Sequence, residues 1–205
     1  MLIDLRLEQL KPRTVPAFEA EFEQALPQRA ALSPLAGFWR TEVGNIDTLV
    51  QAWPYEGGAQ RDKVLQEAAR LPAWAAIESH ASSLEQESRL LVPAPFSPPL
   101  TARKLGDLYE LRLYSYAAGS IPAVIERWQE KIEARLKLSP LVLCGYTTSG
   151  RLHQWVHVWA YDNALERQKI RAESIRRKIW PPNALGGMLR QQNMLLVPAS
   201  FSPLA

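Results

Sequence analysis

The sequence predicts an α+β protein made of two tandem ferredoxin-like halves that pair sheet to sheet as an internal pseudo-dimer. Three observations carry this. A set of residues recurs at a constant separation of 106 positions. Each copy reads as strand, helix, strand, strand, helix, strand, the split βαβ order of a four-stranded antiparallel sheet with helices on one face. The other face of each sheet then needs an apolar cover, and the twin sheet in the same chain supplies it.

The repeat superposes Leu5-Arg6-Leu7 on Leu111-Arg112-Leu113, Pro16 on Pro122, Arg29 on Arg135, and Ser33-Pro34-Leu35 on Ser139-Pro140-Leu141. It continues through Gly44 and Gly150, Trp53 and Trp159, Tyr55 and Tyr161, Arg61 and Arg167, and Trp74 and Trp180. Beyond Trp180 the separation drops to 105, bringing Leu91-Val92-Pro93-Ala94 onto Leu196-Val197-Pro198-Ala199 and Phe96-Ser97-Pro98 onto Phe201-Ser202-Pro203. The expected domains are residues 1–98 and 107–205, with 99–106 as linker. A proline-rich run from Pro93 makes the connection extended and stiff.

Residues 2–9 and 108–116 alternate apolar with polar side chains at period two, which predicts the first strand of each half. A helical period follows over 15–31 and 121–138, where Phe18, Phe22 and Leu26, and likewise Val124, Trp128 and Ile132, are spaced i, i+4, i+8. Pro16 and Pro122 fit the first turn, where a missing N–H costs nothing, and Pro34 and Pro140 force the chain out of helix. Strand pairs are expected over 35–43 and 46–53, and over 141–148 and 152–161, turned at Gly44-Asn45 and Ser149-Gly150. A charged second helix starts near Gln60 or Leu165 and leads to Trp74 or Trp180. The last strands are 84–92 and 189–197. Gly57-Gly58 and Gly186-Gly187 lack a phosphate-loop lysine pattern and read as turns and a helix stop.

The 205 residues are 47% hydrophobic and 22% charged, an ordinary globular profile. Cys144 is the only cysteine, so an intramolecular disulfide and a multi-thiolate zinc site are excluded, and the residue reads as an inert packed thiol. The alternating start, Met1 to Leu7, carries no export pattern, and no apolar stretch is long enough to span a membrane; a cytoplasmic location is expected. The net charge of +3 conceals an asymmetry. Residues 1–100 hold 9 Lys and Arg against 13 Asp and Glu, while 101–205 hold 15 against 8. Arg171, Arg176, Arg177 and Lys178 cluster in the basic half, yet no nucleic-acid motif accompanies them; a solvated helix face accounts for them.

The constellation Tyr109-Glu110-Leu111-Arg112-Leu113-Tyr114, Gly150, Trp159-Ala160-Tyr161, Arg167, Trp180 and Leu196-Val197-Pro198 resembles the NIPSNAP family, of the dimeric α+β barrel superfamily. The resemblance covers nearly the whole chain, twice over. The second half is nearer the family pattern, since Asp4-Leu5-Arg6-Leu7 lacks the preceding aromatic that Tyr109 supplies, and Pro54 separates Trp53 from Tyr55. It implies an intramolecular barrel of two facing sheets with helices outside. Elsewhere in the superfamily are cofactor-independent monooxygenases, isomerases, polyketide cyclases and haem-binding enzymes, with ligands usually held between sheet and helices. Fold alone does not carry function.

His153, Trp155, His157, Trp159 and Tyr161 fall on one face of a strand, because alternate residues point the same way. They read either as a pocket wall, with His157 as acid, base or haem ligand, or as packed aromatics around an interface histidine. The first-half counterparts are Asp47, Leu49, Gln51, Trp53 and Tyr55. Arg61, Arg167, Arg6 and Arg112 offer planar forks for a small anion, or close the barrel end by pairing with acidic residues. The candidate pocket is therefore His157, Trp159, Tyr161, Arg167 and Arg112, with Trp53, Tyr55 and Arg61 in the first half. No metal and no cofactor is expected. The preferred role is small-molecule binding, of an aromatic or anionic ligand, or scaffolding without turnover. A cofactor-independent oxygenase or isomerase on a small aromatic substrate, and a haem or anionic-metabolite binder, are the alternatives; further homo-oligomerisation stays open.

Overall fold

The computed structural model describes residues 1–182 and 187–205. In chain order the elements are β1 (Leu2–Leu10), α1 (Val15–Ala30), β2 (Gly37–Val43), β3 (Thr48–Tyr55), α2 (Gly58–Ala68), α3 (Pro72–Glu78), β4 (Ser83–Pro93), β5 (Leu108–Tyr116), α4 (Ile121–Gln129), α5 (Ile132–Leu136), β6 (Leu141–Thr147), β7 (Gln154–Tyr161), α6 (Ala164–Arg176) and β8 (Met188–Pro198). The strands close into one antiparallel barrel, ordered β1-β3-β2-β8-β5-β7-β6-β4. The two four-stranded sheets face each other as expected, and they are also stitched at both edges. β2 pairs with β8 through Trp39 and Pro198, and β4 pairs with β6 through Leu91 and Thr147. Closure leaves neither sheet with a free edge.

Period two decides what each strand buries. Ile3, Leu5, Val50, Ala52, Leu111, Leu113, Val156 and Val158 point into the barrel and form one cluster. The alternate side chains point outward beneath the helices. There Phe18, Phe22, Phe38, Trp53 and Trp74 make the outer core of the first half, and Trp128, Trp155, Trp159, Tyr161 and Trp180 that of the second. At about 25 cal/mol per Å² of apolar surface removed from water, these layers supply the main driving force for folding. The candidate site lies in the outer layer, not in the barrel lumen.

The tails that follow β4 and β8 are exchanged between the halves. Phe96 stacks on Trp128 of the second half, with ring centroids 6.3 Å apart, and the Cys144 backbone N–H donates to Ser97 Oγ. Reciprocally, Phe201 packs on Phe22 and Phe38 of the first half, and the Phe38 N–H donates to Ser202 Oγ.

Three local expectations are corrected. The helix expected over 121–138 breaks into α4 and α5 around Glu130 and Lys131. The second helix of the first half is split as well, because Pro72 restarts it as α3 after an extended Leu71. His153 is not on the strand face with Trp155: it precedes β7 in the left-handed region at φ 57°, as Asp47 does before β3. The hairpin glycines do take positive φ, +123° at Gly44 and +68° at Gly150. Of the glycine pair at 186 and 187, Gly186 lies outside the described residues.

Candidate functional site

β5 and β7 are neighbours, with Arg112 opposite His157 and Tyr114 opposite Trp155. Their outward side chains form the floor of a cavity of about 330 Å³, roofed by α4, α6 and the segment after α6. Arg112, Tyr114 and Tyr116 come from β5, His157, Trp159 and Tyr161 from β7. Trp128, Arg135, Arg171 and Trp180 complete the wall. The size is at the lower end of the range typical of small-ligand sites, and the lining is mainly aromatic with a few convergent polar groups.

His157 is 1% exposed, and its protonation state follows from one neighbour. The indole Nε1–H of Trp159 donates to His157 Nδ1 at 2.9 Å. An indole N–H can only donate, so Nδ1 must offer its lone pair, and the proton of the neutral ring sits on Nε2. Burial, seconded by the charges of Arg112, Arg135 and Arg171, holds the imidazole well below its ordinary pKa, keeping it neutral. Nε2 itself is buried without a partner. Among the described residues Nε2 meets no hydrogen-bond acceptor, and the rings of Tyr114 and Trp128 pack against the imidazole with centroids 5.0 and 4.8 Å away. The same tautomer leaves Nε2 no lone pair with which to abstract a proton or ligate haem iron.

Arg135 is held under Trp159, its guanidinium carbon 4.2 Å from the ring centre, and donates to Tyr161 Oη at 3.1 Å and Ser139 Oγ at 2.8 Å. Burial raises the Tyr161 pKa against the opposing charge of Arg135, so the phenol stays protonated. Glu110, fully buried beside the cavity, collects the remaining cations. Arg167 donates to its Oε1, Arg112 Nε lies 3.2 Å from the same oxygen, and Arg171 lies 3.8 Å from Oε2. Burial alone would raise the Glu110 pKa; the Arg167 hydrogen bond and the three positive charges outweigh it and leave the group below its usual range. One carboxylate is therefore set against Arg112, Arg167 and Arg171, and Arg135 has no acidic partner. The cavity is electropositive.

The first half repeats the frame with different contents. Arg29 lies 4.2 Å from the Trp53 ring and donates to Tyr55 Oη, and Arg61 pairs with buried Asp4. Gln51 occupies the position of His157 and accepts from Trp53 Nε1 at 3.0 Å. Its pocket, about 210 Å³, is lined by Arg6, Gln51, Trp74 and Glu78 among others, with Glu8 where the second half has Tyr114.

Of the residues singled out from sequence, His157, Trp159, Tyr161 and Arg112 line one cavity. Arg167 does not line it but anchors Glu110, and Arg61 makes the matching pair with Asp4. Trp53 and Tyr55 are sealed beneath Arg29 and outside the first-half pocket. Sequence reasoning missed Tyr114 and Tyr116, signalled by their period-two spacing from Arg112, and Trp128 and Arg135, signalled by helical spacing and by the repeat. Arg171 belonged to a basic cluster read as solvated. It turns inward, whereas Arg176 and Arg177 pair with Glu173 on the surface. Burial raises the pKa of the Cys144 thiol, in keeping with a packed, unreactive residue. Among the described residues no three His, Cys, Asp or Glu side chains gather as a metal site requires.

The NIPSNAP family model matches residues 3–98 and again 109–203. Protein NipSnap homolog 3A of Homo sapiens is 30% identical over 211 residues, covering 98% of this chain and 85% of the relative. Homolog 3B of Homo sapiens is 29% identical with the same coverage. A candidate monooxygenase from Lactobacillus acidophilus superposes with a TM-score of 0.65 over 96% of this chain and 93% of its own, at 9% identity, a likeness of fold alone.

Proposed function

The chain belongs to the NIPSNAP family, and we propose that it binds a small, flat, largely apolar molecule in its second half, without chemical turnover. The observation that carries this reading is the cavity itself, about 330 Å³, walled by Trp128, Trp159, Tyr161 and Trp180 and lined by Arg112, Arg135 and Arg171. A haem site or a histidine base would need a lone pair at His157 Nε2, which the Trp159 hydrogen bond does not support, and the alternative base, Tyr161, is kept protonated by burial and accepts from Arg135.

In this reading residues 1–98 and 107–205 are two domains joined by 99–106, and only the second keeps a working pocket. Among the described residues no helix is long and apolar enough to cross a membrane. A reducing compartment such as the cytoplasm fits the single buried cysteine.

The test is calorimetric titration of the full chain with planar probes, 2-naphthamide and 2-naphthoate among them, alongside native mass spectrometry of the purified protein. One saturable site per chain is expected, lost in Ser174→Leu, which fills the wall beneath α6 while circular dichroism confirms the fold. No saturable binding of either naphthyl probe up to millimolar concentration, or binding untouched by the substitution, overturns the proposal.

A further inference from the structure

In the first half a carboxylate sits between the repeat mates of Arg112 and Trp180. Glu78, at the end of α3, accepts from Arg6 Nη1 at 2.7 Å and from the Trp74 indole N–H at 2.9 Å through the same oxygen, Oε1. Arg6 and Trp74 are the repeat mates of Arg112 and Trp180. Their surroundings match: Trp74 meets Trp53 edge-on with centroids 5.8 Å apart and planes at 81°, and Trp180 meets Trp159 at 5.8 Å and 71°. Both arginines also flank the buried carboxylate of the first strand, Arg6 Nε at 3.5 Å from Asp4 and Arg112 Nε at 3.2 Å from Glu110.

The second half retains the arginine and the tryptophan and lacks the acid. The chain has no Asp or Glu after Glu173, so the segment that follows Trp180 cannot supply one. Two more replacements push the charge the same way. Arg171 stands where the first half has Leu65, and Tyr114 where it has Glu8. Three cations, Arg112, Arg135 and Arg171, line the second cavity, and among the described residues no carboxylate does.

We infer that the ligand of the second-half cavity is a carboxylate on a flat apolar body, its head group held by Arg112 and Trp180 as Glu78 is held by Arg6 and Trp74. This rests on the cavity being a ligand site and specifies the ligand's head group. An arginine fork matches a carboxylate in shape as well as charge. The aromatic walls take the body, and Glu78 acts as a built-in surrogate that closes the first-half pocket to the same class of molecule.

The experiment titrates the full chain with 2-naphthoate and, in parallel, with 2-naphthamide, which has the same rings and no charge. The naphthoate should bind more tightly by about tenfold or more, and Arg112→Gln should abolish that preference. Equal binding of the two probes by the unsubstituted protein overturns the carboxylate inference and leaves the cavity reading standing, whatever the folding of the variant. Failure of both probes to bind overturns the cavity reading and this inference with it. A naphthoate preference that survives Arg112→Gln in folded protein also overturns the assignment.

Discussion

Arg135 and Trp159 are stacked face to cation at 4.2 Å, and the first half reproduces the distance with Arg29 over Trp53. Both guanidiniums are buried, and burial lowers the pKa of each. Neither hydrogen-bonds a carboxylate; each donates to a serine and a tyrosine hydroxyl and lies on a ring face, while its Nε is buried without a partner among the described residues. Arg29→Met and Arg135→Met should each destabilise the protein by roughly 2–3 kcal/mol, from lost charged hydrogen bonds and the cation–π contact, as read by urea denaturation. Only Arg135→Met should also weaken binding of a planar probe. An equal effect of both on binding would contradict the assignment of the site to the second half.

The natural experiment at position 51 defines the behaviour of position 157. Gln51 accepts from Trp53 as His157 accepts from Trp159. His157→Gln should therefore preserve the indole's partner and change stability by less than about 1 kcal/mol. His157→Leu should lose ~1–3 kcal/mol, because it strands the Trp159 N–H in a dry layer. Chemical denaturation of the two variants separates the cases.

Acid should act on the same residue. Because the folded-state pKa of His157 is depressed, the unfolded chain takes up a proton below the ordinary histidine range that the folded chain refuses. Stability is then full above that range and falls on acidification, by about 1.4 kcal/mol per pH unit, until the folded imidazole itself titrates. Glu110, also depressed, adds a separate loss beginning below the ordinary carboxylate range. Comparing denaturation of the unsubstituted protein and His157→Gln between pH 7 and 5 isolates the histidine component, which the substitution should remove; the carboxylate component enters only on further acidification. Parallel curves would refute the buried neutral imidazole.

Residues 1–98 expressed alone leave β2 without β8, β4 without β6, and the inward face of Leu5, Val50 and Ala52 uncovered. The fragment should dimerise or aggregate, and sedimentation should find no folded monomer. A stable monomer would show that the sheets do not depend on each other.

The face shared by His157, Trp159 and Tyr161 was legible because strand geometry leaves only two choices for each residue. Arg167 was not. It follows Tyr161 closely in the chain, but its long side chain finds Glu110 on the adjacent strand, a pairing set by register rather than by local order. Trp128, Arg171 and Trp180 reach the cavity from three separate segments, and helical spacing states which residues are neighbours on a helix without stating which strand lies beneath. The breaks after Gln129 and at Pro72 escaped for another reason: apolar spacing continues across them while the backbone does not. His153 kept its place in the alternation on paper, yet the turn took it at φ 57°.

The constant register between the halves has a consequence for change over time. A homodimer of a single half must write every substitution into both of its pockets at once, so a residue useful in one place is imposed on the other. Joining the copies in one chain removes that obligation. Position 157 can be histidine while 51 stays glutamine, and position 171 arginine while 65 is leucine, with the barrel seam unaffected by either. One copy is free to serve as scaffold and template while the other specialises.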